Sequence, residues 1–492
     1  MGEARRACKT IQFGLLLLLV LIMIACGSTN HFTPASPGSN SGGPPPPSTG
    51  PTPTPTPAPQ GSPSPPPDAL KKLNHIVFLI QENRSFDHYF GQLDQYRVTQ
   101  GLKAGAVDGL PPENSPACAN PGNPPNGCMP VNPIIPNYAP QPAFHLKTMC
   151  IENTSNGWYE AWQDFNLFNI TSNTPMLDGF SWSAGGDAKY TGQLDTAGVR
   201  AMGYYDGNDL PYHYFLATQF ATSDRFFSPA PTETEPNKMY LVAATSVGHA
   251  HKPVQPVNAK TIFDLLEAAH ISWKIYYARF PDDPIINYFQ PFASQHQDHI
   301  VPVSQYFADL KNGTLPSVAM IEPSFGSDDQ HPGVGNHIQI GAANTANYIN
   351  SLMTSQYWKD SVFIMTFDEG GGMFDHVPPP TSGVPNPDGI KPVDLVTAPP
   401  ADPAGDFVRY GFRVPLIVVS PFSKRNYVSH TVTDSTAILR LIEARFGLPN
   451  LTKRDAIAID MTEFFDFNGV PWATPPTPPA QPTTGPCYDA LP

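Results

Sequence analysis

The sequence predicts an α/β domain built around a mostly parallel sheet. Short apolar runs rich in β-branched residues alternate with helical patterns along the chain. The runs are almost continuously apolar, which is typical of strands that helices bury on both faces. Alternation of such strands with helices indicates the α/β class.

Four apolar runs are predicted to be strands, and each ends in polar residues or proline. They are "HIVFLI" (75–80), "SVAMIEP" (317–323), "SVFIMTFDE" (361–369) and "VPLIVVSP" (414–421). In a parallel sheet the ligand site gathers beyond the carboxyl ends of the strands. The residues that follow these runs are therefore the first candidates for a functional site.

Three segments between the runs carry helical patterns. They are "TIFDLLEAAH" (261–270), "NTANYINSLMTS" (344–355) and "DSTAILRLIEARFG" (434–447). The last segment has Asp434 or Ser435 near its start and Gly447 at its end, which are common helix-capping residues at these positions.

The N-terminal segment is predicted to direct export. Arg5, Arg6 and Lys9 precede the apolar run "IQFGLLLLLVLIMIA", which is short for a membrane span and ends at Cys26. Residues 1–26 are therefore predicted to be a lipoprotein-type signal peptide, because "MIAC" resembles a bacterial lipobox whose Cys26 is lipidated. Plain secretion and a single-pass anchor are the alternatives. The expected location is the bacterial cell envelope, through a lipid anchor, or the medium.

The remaining chain divides into a linker and a folded body. Residues 27–68 are almost entirely Pro, Ser, Thr and Gly. Such a composition offers too little apolar surface to offset the entropy of ordering, so it predicts a disordered tether. Residues 69–492 are predicted to form a single large domain with a Pro-rich C-terminal tail, and no internal repeat is evident in them.

Cysteine usage and net charge narrow the possible partners. Besides two cysteines in the signal segment, the chain has Cys118, Cys128, Cys150 and Cys487. Of the three possible pairings we favour Cys118 with Cys128 and Cys150 with Cys487. A zinc site is the alternative, but no CxxC spacing supports it. The formal net charge of −14 argues against nucleic acid or an anionic membrane as a partner. Contact with a membrane is therefore expected only through the lipid anchor.

Two acid-bearing pairs follow predicted strands. Glu82 and Asn83 follow the first strand, and Asp368 and Glu369 follow the strand that begins at residue 361. Both pairs should lie at the same edge of the sheet, where they would repel each other unless a cation lies between them. Oxygen ligands of this kind suit a divalent ion. For either pair alone, a solvated turn or a helix cap is the alternative.

Six motifs occur in an order that resembles a known family. They are "HIVFLIQENRSFDHYFG", "GYYDGNDLPYHYFLATQFATSDRFF", "TEPNKMYL", "LPSVAMIEP", "TFDEGGGMFDHVPPP" and "RVPLIVVSPFS". They are similar to the bacterial phosphoesterase family of phospholipases C and acid phosphatases, within the alkaline-phosphatase-like superfamily. The resemblance implies a three-layer α/β/α sandwich and one divalent metal ion of unknown identity. It also implies metal ligands at Glu82, Asn83, Thr234, Asp368 and Glu369.

The resemblance also implies that Thr234 is the nucleophile. The family places this hydroxyl three residues before the Asn of its "PN" pair, and here that Asn is Asn237, a candidate substrate-binding residue with Asn83. A hydroxyl is a poor nucleophile until a metal or base stabilises its alkoxide. Thr232 is the alternative nucleophile.

Phosphoryl transfer also needs donors for the phosphoryl oxygens and a proton for the leaving group. Histidine can supply both near neutral pH. His331 and His145 match family histidines, and His376 follows the Asp-Glu pair, with Asp375 as the residue that orients it. His296 and His299 are candidates for substrate binding. For a single histidine of this kind, a core or surface role is the alternative.

The sequence departs from the phospholipase C members at two motifs. The segment "SNGWYEAWQDFNLFN" lacks the histidines of their "HSW…H" motif, and Ser435 stands where another family histidine occurs. The expected function is metal-dependent hydrolysis of phosphoric esters, of phosphodiesters or phospholipids in particular, through a phosphothreonine. The alternatives are an acid phosphatase acting on phosphomonoesters and an inert surface binding protein.

Overall fold

The computed structural model describes residues 67–119, 127–133, 140–279, 284–323, 329–333 and 335–487. Cys26, the expected signal peptide and all but the last two residues of the expected tether lie outside the described residues. Within the described part of the chain, no helix has the length and apolar character needed to cross a bilayer.

The strands are numbered in chain order. They are β1 (His75–Gln81), β2 (Val131–Asn132), β3 (Gln141–Pro142), β4 (Phe144–His145), β5 (Gly203–Tyr204), β6 (Ala221–Ser223), β7 (Phe226–Phe227), β8 (Trp273–Tyr277), β9 (Ile300–Pro302), β10 (Val318–Glu322), β11 (Ser361–Phe367), β12 (Leu416–Val419), β13 (Tyr427–Ser429) and β14 (Thr433–Asp434).

The α-helices are numbered in the same way. They are α1 (Pro67–Leu70), α2 (Phe86–Phe90), α3 (Leu93–Thr99), α4 (Trp158–Phe165), α5 (Phe180–Thr191), α6 (Pro211–Gln219), α7 (Thr234–Ala243), α8 (Ile262–Ala268), α9 (Phe292–Gln295), α10 (Ser304–Asn312), α11 (Ile338–Met353), α12 (Thr436–Phe446) and α13 (Lys453–Ile457). Short 3₁₀ helices cover Val199–Met202, Ile285–Tyr288, Gln297–His299, Trp358–Asp360 and Thr462–Phe464.

The central sheet has eight strands in the order β13-β6-β12-β11-β1-β10-β8-β9. The pairs on either side of β12 are antiparallel and all the others are parallel, so β12 alone runs against its neighbours. In β1 only His75 is partly exposed, and β11 is buried along its whole length. This burial explains why both sequences lack polar alternation.

Helices cover both faces of this sheet. On one side α3, α6, α10 and α11 pack in series, and on the other α7 and α12 pack with α1, α8 and α13. The result is the three-layer α/β/α sandwich that the sequence predicts. The four predicted strands are β1, β10, β11 and β12, and the three predicted helices are α8, α11 and α12. Ser435 and Gly447 flank α12, and Gly447 has the left-handed conformation with a φ of 67°.

Two disulfides tie loops to this body. The structure joins Cys118 to Cys128 and Cys150 to Cys487, which is the pairing favoured from the sequence. The second bridge closes a sequence separation of 337 residues and fixes the Pro-rich tail against the segment before α4.

Candidate active site

The carboxyl ends of β1 and β11 bring the two acid-bearing pairs together. Gln81 pairs with Phe367 at the end of the ladder, so Glu82 and Asp368 leave the sheet side by side. The Asn83 amide donates to Asp368 Oδ1 at 3.0 Å. We call Glu82, Asn83, Thr234, Asp368 and Glu369 the strand-end cluster.

Thr234 reaches this cluster from the start of a helix. It is the first residue of α7, and its hydroxyl donates to Asn83 Oδ1 at 3.3 Å. The positive end of the helix dipole therefore adjoins the hydroxyl and favours its deprotonated form. Asn83 itself has a φ of 63°, a left-handed conformation that Asn tolerates better than most residues. Unusual backbone of this kind is concentrated at functional sites.

Asp368 has one oxygen in use and one without a partner. Its Oδ1 accepts from the amides of Asn83 and Glu369, at 3.0 and 2.7 Å. Its Oδ2 is buried and has no hydrogen-bond partner among the described residues. Burial, followed by the charge of Glu82, raises the pKa of Asp368 to about 7. A buried carboxylate oxygen without a donor is costly, so it marks a place where a cation or proton would bind.

Glu369 is held by the loop that follows it. Asn156 Nδ2 donates to its Oε1 and the Gly371 amide to its Oε2. Burial and the charge of Asp368 raise the pKa of Glu369 well above its usual range.

The glycine run after Glu369 is required by close packing. Gly371 and Gly372 have φ angles of 67° and 64°, which strain any residue with a side chain. A Cβ on Gly371 would lie 2.4 Å from the carbonyl oxygen of Asn83, and one on Gly372 2.4 Å from that of Ser155. The run therefore lets the Asp-Glu loop lie directly against the backbone of the strand-end cluster.

Lys238 and Glu322 complete the surroundings of Glu82, and sequence reasoning missed both. Lys238 Nζ donates to Glu82 and, at 3.3 Å, to Glu322 Oε1. Burial favours the neutral form of both Glu82 and Lys238. Their ion pair outweighs this effect, so the pKa of Glu82 is lowered and that of Lys238 is raised. Burial raises the pKa of Glu322 to about 7 against the effect of Lys238. Two features of the sequence could have indicated these residues. Lys238 lies one helical turn after Thr234, and Glu322 lies near the end of a predicted strand.

His331 lies beside the cluster and is neutral. Burial lowers its pKa to about 4, with the charge of Arg84 acting in the same direction and that of Glu82 against it. Arg84 Nε donates to the carbonyl oxygen of Gln330 at 2.7 Å and so holds the loop. His331 Nδ1 faces the Pro332 carbonyl oxygen. Because a carbonyl only accepts, Nδ1 carries the hydrogen, and Nε2 is the basic nitrogen of the neutral ring.

His376 and Asp375 belong to a different set of charges. His376 Nδ1 contacts Asp87 Oδ2 at 2.7 Å and its Nε2 contacts Asp108 Oδ1 at 3.0 Å. The Asp375 carboxylate instead accepts from Arg413 Nε at 2.9 Å. The expectation that Asp375 orients His376 is therefore corrected, because Asp87 and Asp108 do so. We call these five residues the Arg413 cluster.

The structure does not place the other three histidines among the contacts of the strand-end cluster. His145 Nε2 contacts Asp209 Oδ2 at 2.7 Å and lies 3.8 Å from Asp206 Oδ1. His296 stacks on Phe292, with ring centroids 4.2 Å apart. His299 stacks on Trp273, the first residue of β8, at 4.3 Å. As the site lies beyond the last residues of the parallel strands, His299 and its neighbour His296 lie at the opposite edge.

Asn237 and Thr232 shape the loop before the nucleophile candidate. Asn237 Oδ1 accepts from the Ala230 amide at 2.9 Å, and its Nδ2 donates to the Thr232 carbonyl oxygen at 2.7 Å. Both polar atoms of Asn237 are thus used within the loop, which corrects its expected role from substrate binding to positioning. The Thr232 hydroxyl is buried and donates to the Ala250 carbonyl oxygen.

The strand-end cluster fits a divalent ion by its chemistry. It combines three buried carboxylates with an amide and a hydroxyl oxygen, and Asp368 Oδ2 has no donor. Among the described residues, two groups of three side chains have potential ligand atoms within 4.8 Å of one another, namely Asp87, Asp375 and His376, and His145, Asp206 and Asp209. Glu82, Asp368 and Glu369 do not form such a group. In both groups the histidine already pairs with an acid. The strand-end cluster differs from both groups in that one of its carboxylate oxygens, Asp368 Oδ2, has no hydrogen-bond partner among the described residues, and this makes it a candidate metal site.

Comparison with known proteins identifies relatives along most of the chain. A model of the Phosphoesterase family matches residues 73–449. Phospholipase C A of Mycobacterium tuberculosis is 31% identical over 475 residues, covering 87% of this chain and 82% of its own. Non-specific phospholipase C1 of Arabidopsis thaliana is 29% identical over 421 residues, covering 80% and 71%. A protein in the alkaline phosphatase superfamily from Vibrio parahaemolyticus has a TM-score of 0.34 and 13% identity, covering 68% and 72%.

Proposed function

The chain belongs to the phosphoesterase family and is a phosphoric ester hydrolase, and from this premise we propose that it cleaves phosphodiesters with Thr234 as nucleophile. The observation that carries the proposal is the position of the Thr234 hydroxyl. From the first residue of α7, this hydroxyl donates to Asn83 Oδ1. The Asn83 amide in turn donates to Asp368, whose Oδ2 has no donor among the described residues.

The reaction would take two displacements. In the first, a bond forms from Thr234 Oγ1 to phosphorus, the ester P–O bond breaks, and the alcohol leaves. Neutral His331 would accept the hydroxyl proton on Nε2 and return it to the departing alcohol. In the second, water attacks phosphorus, the bond to Oγ1 breaks, and the proton of the water restores the hydroxyl. The products from a phospholipid are diacylglycerol and a phosphorylated head group.

Glu82, Asn83, Thr234, Asp368 and Glu369 would hold one divalent cation. When bound, such an ion stabilises negative charge on the hydroxyl oxygen and on phosphoryl oxygens. Asn156 and the Gly371 amide keep Glu369 in place. Lys238 balances part of the negative charge from the side of Glu82.

The substrate class we propose is a phospholipid, as in phospholipase C. Two relatives named phospholipase C support this class, one from a bacterium and one from a plant. Their sequence identities to this chain are 31% and 29%. The alternative is a phosphomonoesterase, which is favoured by the absence of histidine from residues 155–169. That segment includes Asn156, which contacts Glu369, so the difference lies at the site itself.

We also propose export and lipid attachment through Cys26. In cells, Cys26→Ser should move the protein from the membrane fraction to the soluble fraction without changing its hydrolytic activity. Unchanged fractionation would favour an uncleaved anchor or another mode of attachment.

A paired assay tests the main proposal. The full chain carrying Cys26→Ser is given p-nitrophenyl phosphorylcholine or p-nitrophenyl phosphate, each with and without a chelator. The expected result is chelator-sensitive hydrolysis of the diester that exceeds hydrolysis of the monoester. Preference for the monoester would establish the alternative, and activity that survives complete metal removal would contradict the metal requirement.

A further inference from the structure

A groove separates two loops on the side of α4. One wall contains Thr171 and Asn173, and the other contains Lys391 and Leu395. Trp162 and Arg409 also line the groove. We call the two walls loop A (residues 166–176) and loop B (residues 390–395).

Both loops expose apolar side chains to solvent. In loop A, Phe168 is 83% exposed and Met176 43%. In loop B, Val393 is 60% exposed and Ile390 40%. Loop A is internally bonded, since the Asn169 amide donates to Asn166 Oδ1 at 2.9 Å. Phe168 is therefore held by hydrogen bonds within its loop, and both loops that line this groove carry exposed apolar side chains.

Two cations, Lys391 and Arg409, line the groove together with one acid, Asp406. The Arg409 guanidinium is only 4% exposed and lies 4.0 Å from the Trp162 ring centroid. Its Nη2 donates to Asn173 Oδ1 at 2.7 Å, and its Nη1 has no hydrogen-bond partner among the described residues. Lys391 is exposed, 3.8 Å from Asp406 Oδ2. Two cations between apolar projections match a surface that offers phosphate groups above hydrocarbon chains.

Both loops are linked through the chain to residues beside the strand-end cluster. Loop A follows α4, which begins two residues after Asn156, the residue bonded to Glu369. In loop B the Val393 amide donates to the Gly248 carbonyl oxygen at 2.9 Å. Four residues later the Lys252 amide donates to Glu233 Oε1 at 2.9 Å, next to Thr234. Short stretches of chain thus link both loops to residues that neighbour the strand-end cluster.

We propose that loops A and B form an interfacial docking surface that seats the enzyme on a phosphatidylcholine bilayer or micelle. This inference rests on the proposed function. Phe168, Met176, Ile390 and Val393 enter the acyl boundary, and the exposed Lys391 faces the lipid phosphates. The buried Arg409 offers Nη1 to a phosphate that enters the groove. A zwitterionic surface is the partner, because the net charge of −14 disfavours an anionic one. Contact with a membrane would then involve the folded body as well as the lipid anchor.

The test compares charge-introducing variants in the full chain carrying Cys26→Ser. The double variant Phe168→Asp/Val393→Asp removes the two most exposed projections. Ile457→Asp is the matched control, because Ile457 is 59% exposed on α13, in neither loop. Binding is measured by flotation with phosphatidylcholine vesicles. Catalysis is measured with monomeric p-nitrophenyl phosphorylcholine, which needs no interface.

The double variant should lose vesicle binding by at least about fivefold, as expected when apolar anchors are removed from an interface. Its kcat/KM on the monomeric ester should stay within about twofold of the parent, and Ile457→Asp should match the parent in both assays. Equal vesicle binding by parent and double variant would overturn the inference. So would a parent dimer that the double variant converts to monomer, because a second copy would then occupy the surface. If the parent does not hydrolyse the ester, only the proposed function is refuted, because flotation measures vesicle binding without requiring catalysis.

Discussion

The strand-end cluster and the Arg413 cluster are both buried groups of charges, but they are built in opposite ways. Arg413 donates to Asp87 Oδ1 at 3.0 Å and to Asp375 Oδ1 at 2.9 Å, and His376 pairs with Asp87 and Asp108. The strand-end cluster instead sets three buried carboxylates against the single ammonium of Lys238.

The difference separates two uses of buried charge. Where each charge has a partner, the group fixes one packing arrangement, and breaking one pair is costly. Where like charges converge and Asp368 keeps an oxygen without a donor, the site is destabilised until a ligand binds. We therefore expect substitutions in the strand-end cluster to change activity and those in the Arg413 cluster to change stability.

The largest expected effect is on turnover. Thr234→Ala removes the attacking atom, so kcat should fall by about 10³-fold or more, as with other nucleophile deletions. Because the hydroxyl is only partly buried, the melting temperature should change little. Thr234→Ser should keep measurable activity, since its hydroxyl remains.

Thr232→Ala is the matched control for this prediction. It should lower the free energy of unfolding by about 1 kcal/mol, because a buried hydrogen bond to the Ala250 carbonyl is lost, while turnover stays near normal. If Thr232→Ala abolishes turnover and Thr234→Ala does not, the nucleophile is Thr232. If neither variant affects turnover, water attacks phosphorus directly.

The second prediction concerns the Arg413 cluster. Asp375→Asn leaves the Arg413 charge buried with one partner fewer, so the free energy of unfolding should fall by about 3–5 kcal/mol. At a temperature where the variant is folded, kcat on p-nitrophenyl phosphorylcholine should stay near that of the parent. A large loss of kcat in fully folded protein would instead show that Asp375 has a role in catalysis.

The pH dependence of stability tests the same cluster. Burial opposes the charge, yet Asp87 and Asp108 raise the pKa of His376 to about 9. A folded pKa above the unfolded value means that this stabilisation is complete below about pH 6.5 and is lost as pH rises to about 9. Between about pH 7.5 and 9 the loss should be on the order of 2 kcal/mol.

Urea unfolding across this interval measures the effect, and His376→Gln should flatten the profile. The interval starts above the pKa of Asp368, which is about 7, but it includes that of Glu443, which burial raises to about 9, so the parent and His376→Gln are compared directly. An unchanged slope in His376→Gln would show that another group, such as His251 with its pKa near 10, is responsible.

Sequence reasoning was strongest where the local pattern and the fold impose the same constraint. The buried runs of β1 and β11 predict their strands, and parallel pairing then brings Glu82 beside Asp368. It was weakest for side chains whose partners are distant in sequence. Nothing near His376 indicates that Asp87, 289 residues earlier, bonds its ring. His296 and His299 occupy the opposite edge because the strand order, which the sequence does not reveal, decides where their loop lies.

The smallest expected effect has the opposite sign to the others. Asp368→Asn removes a buried charge that is repelled by Glu82 and has an oxygen without a donor. In the presence of a chelator at about pH 8, the variant should therefore be more stable than the parent by about 1 kcal/mol, a gain typical of relieving strain at a functional site.

A divalent ion should reverse this order. The melting temperature of the parent should rise when Mg²⁺, Mn²⁺ or Ca²⁺ is added, because an ion that binds only the folded state stabilises it, while that of Asp368→Asn should rise little.

Asp164→Asn is the matched control. Asp164 is also buried with a pKa well above its usual range, but it bonds Ser183 and lies outside the proposed ligands. If Asp368→Asn is destabilising in chelator, the carboxylate is satisfied without a cation, and the contrast between the two clusters is wrong. If it is stabilising but the parent does not respond to any of the three ions, the cluster is a proton site and not a metal site.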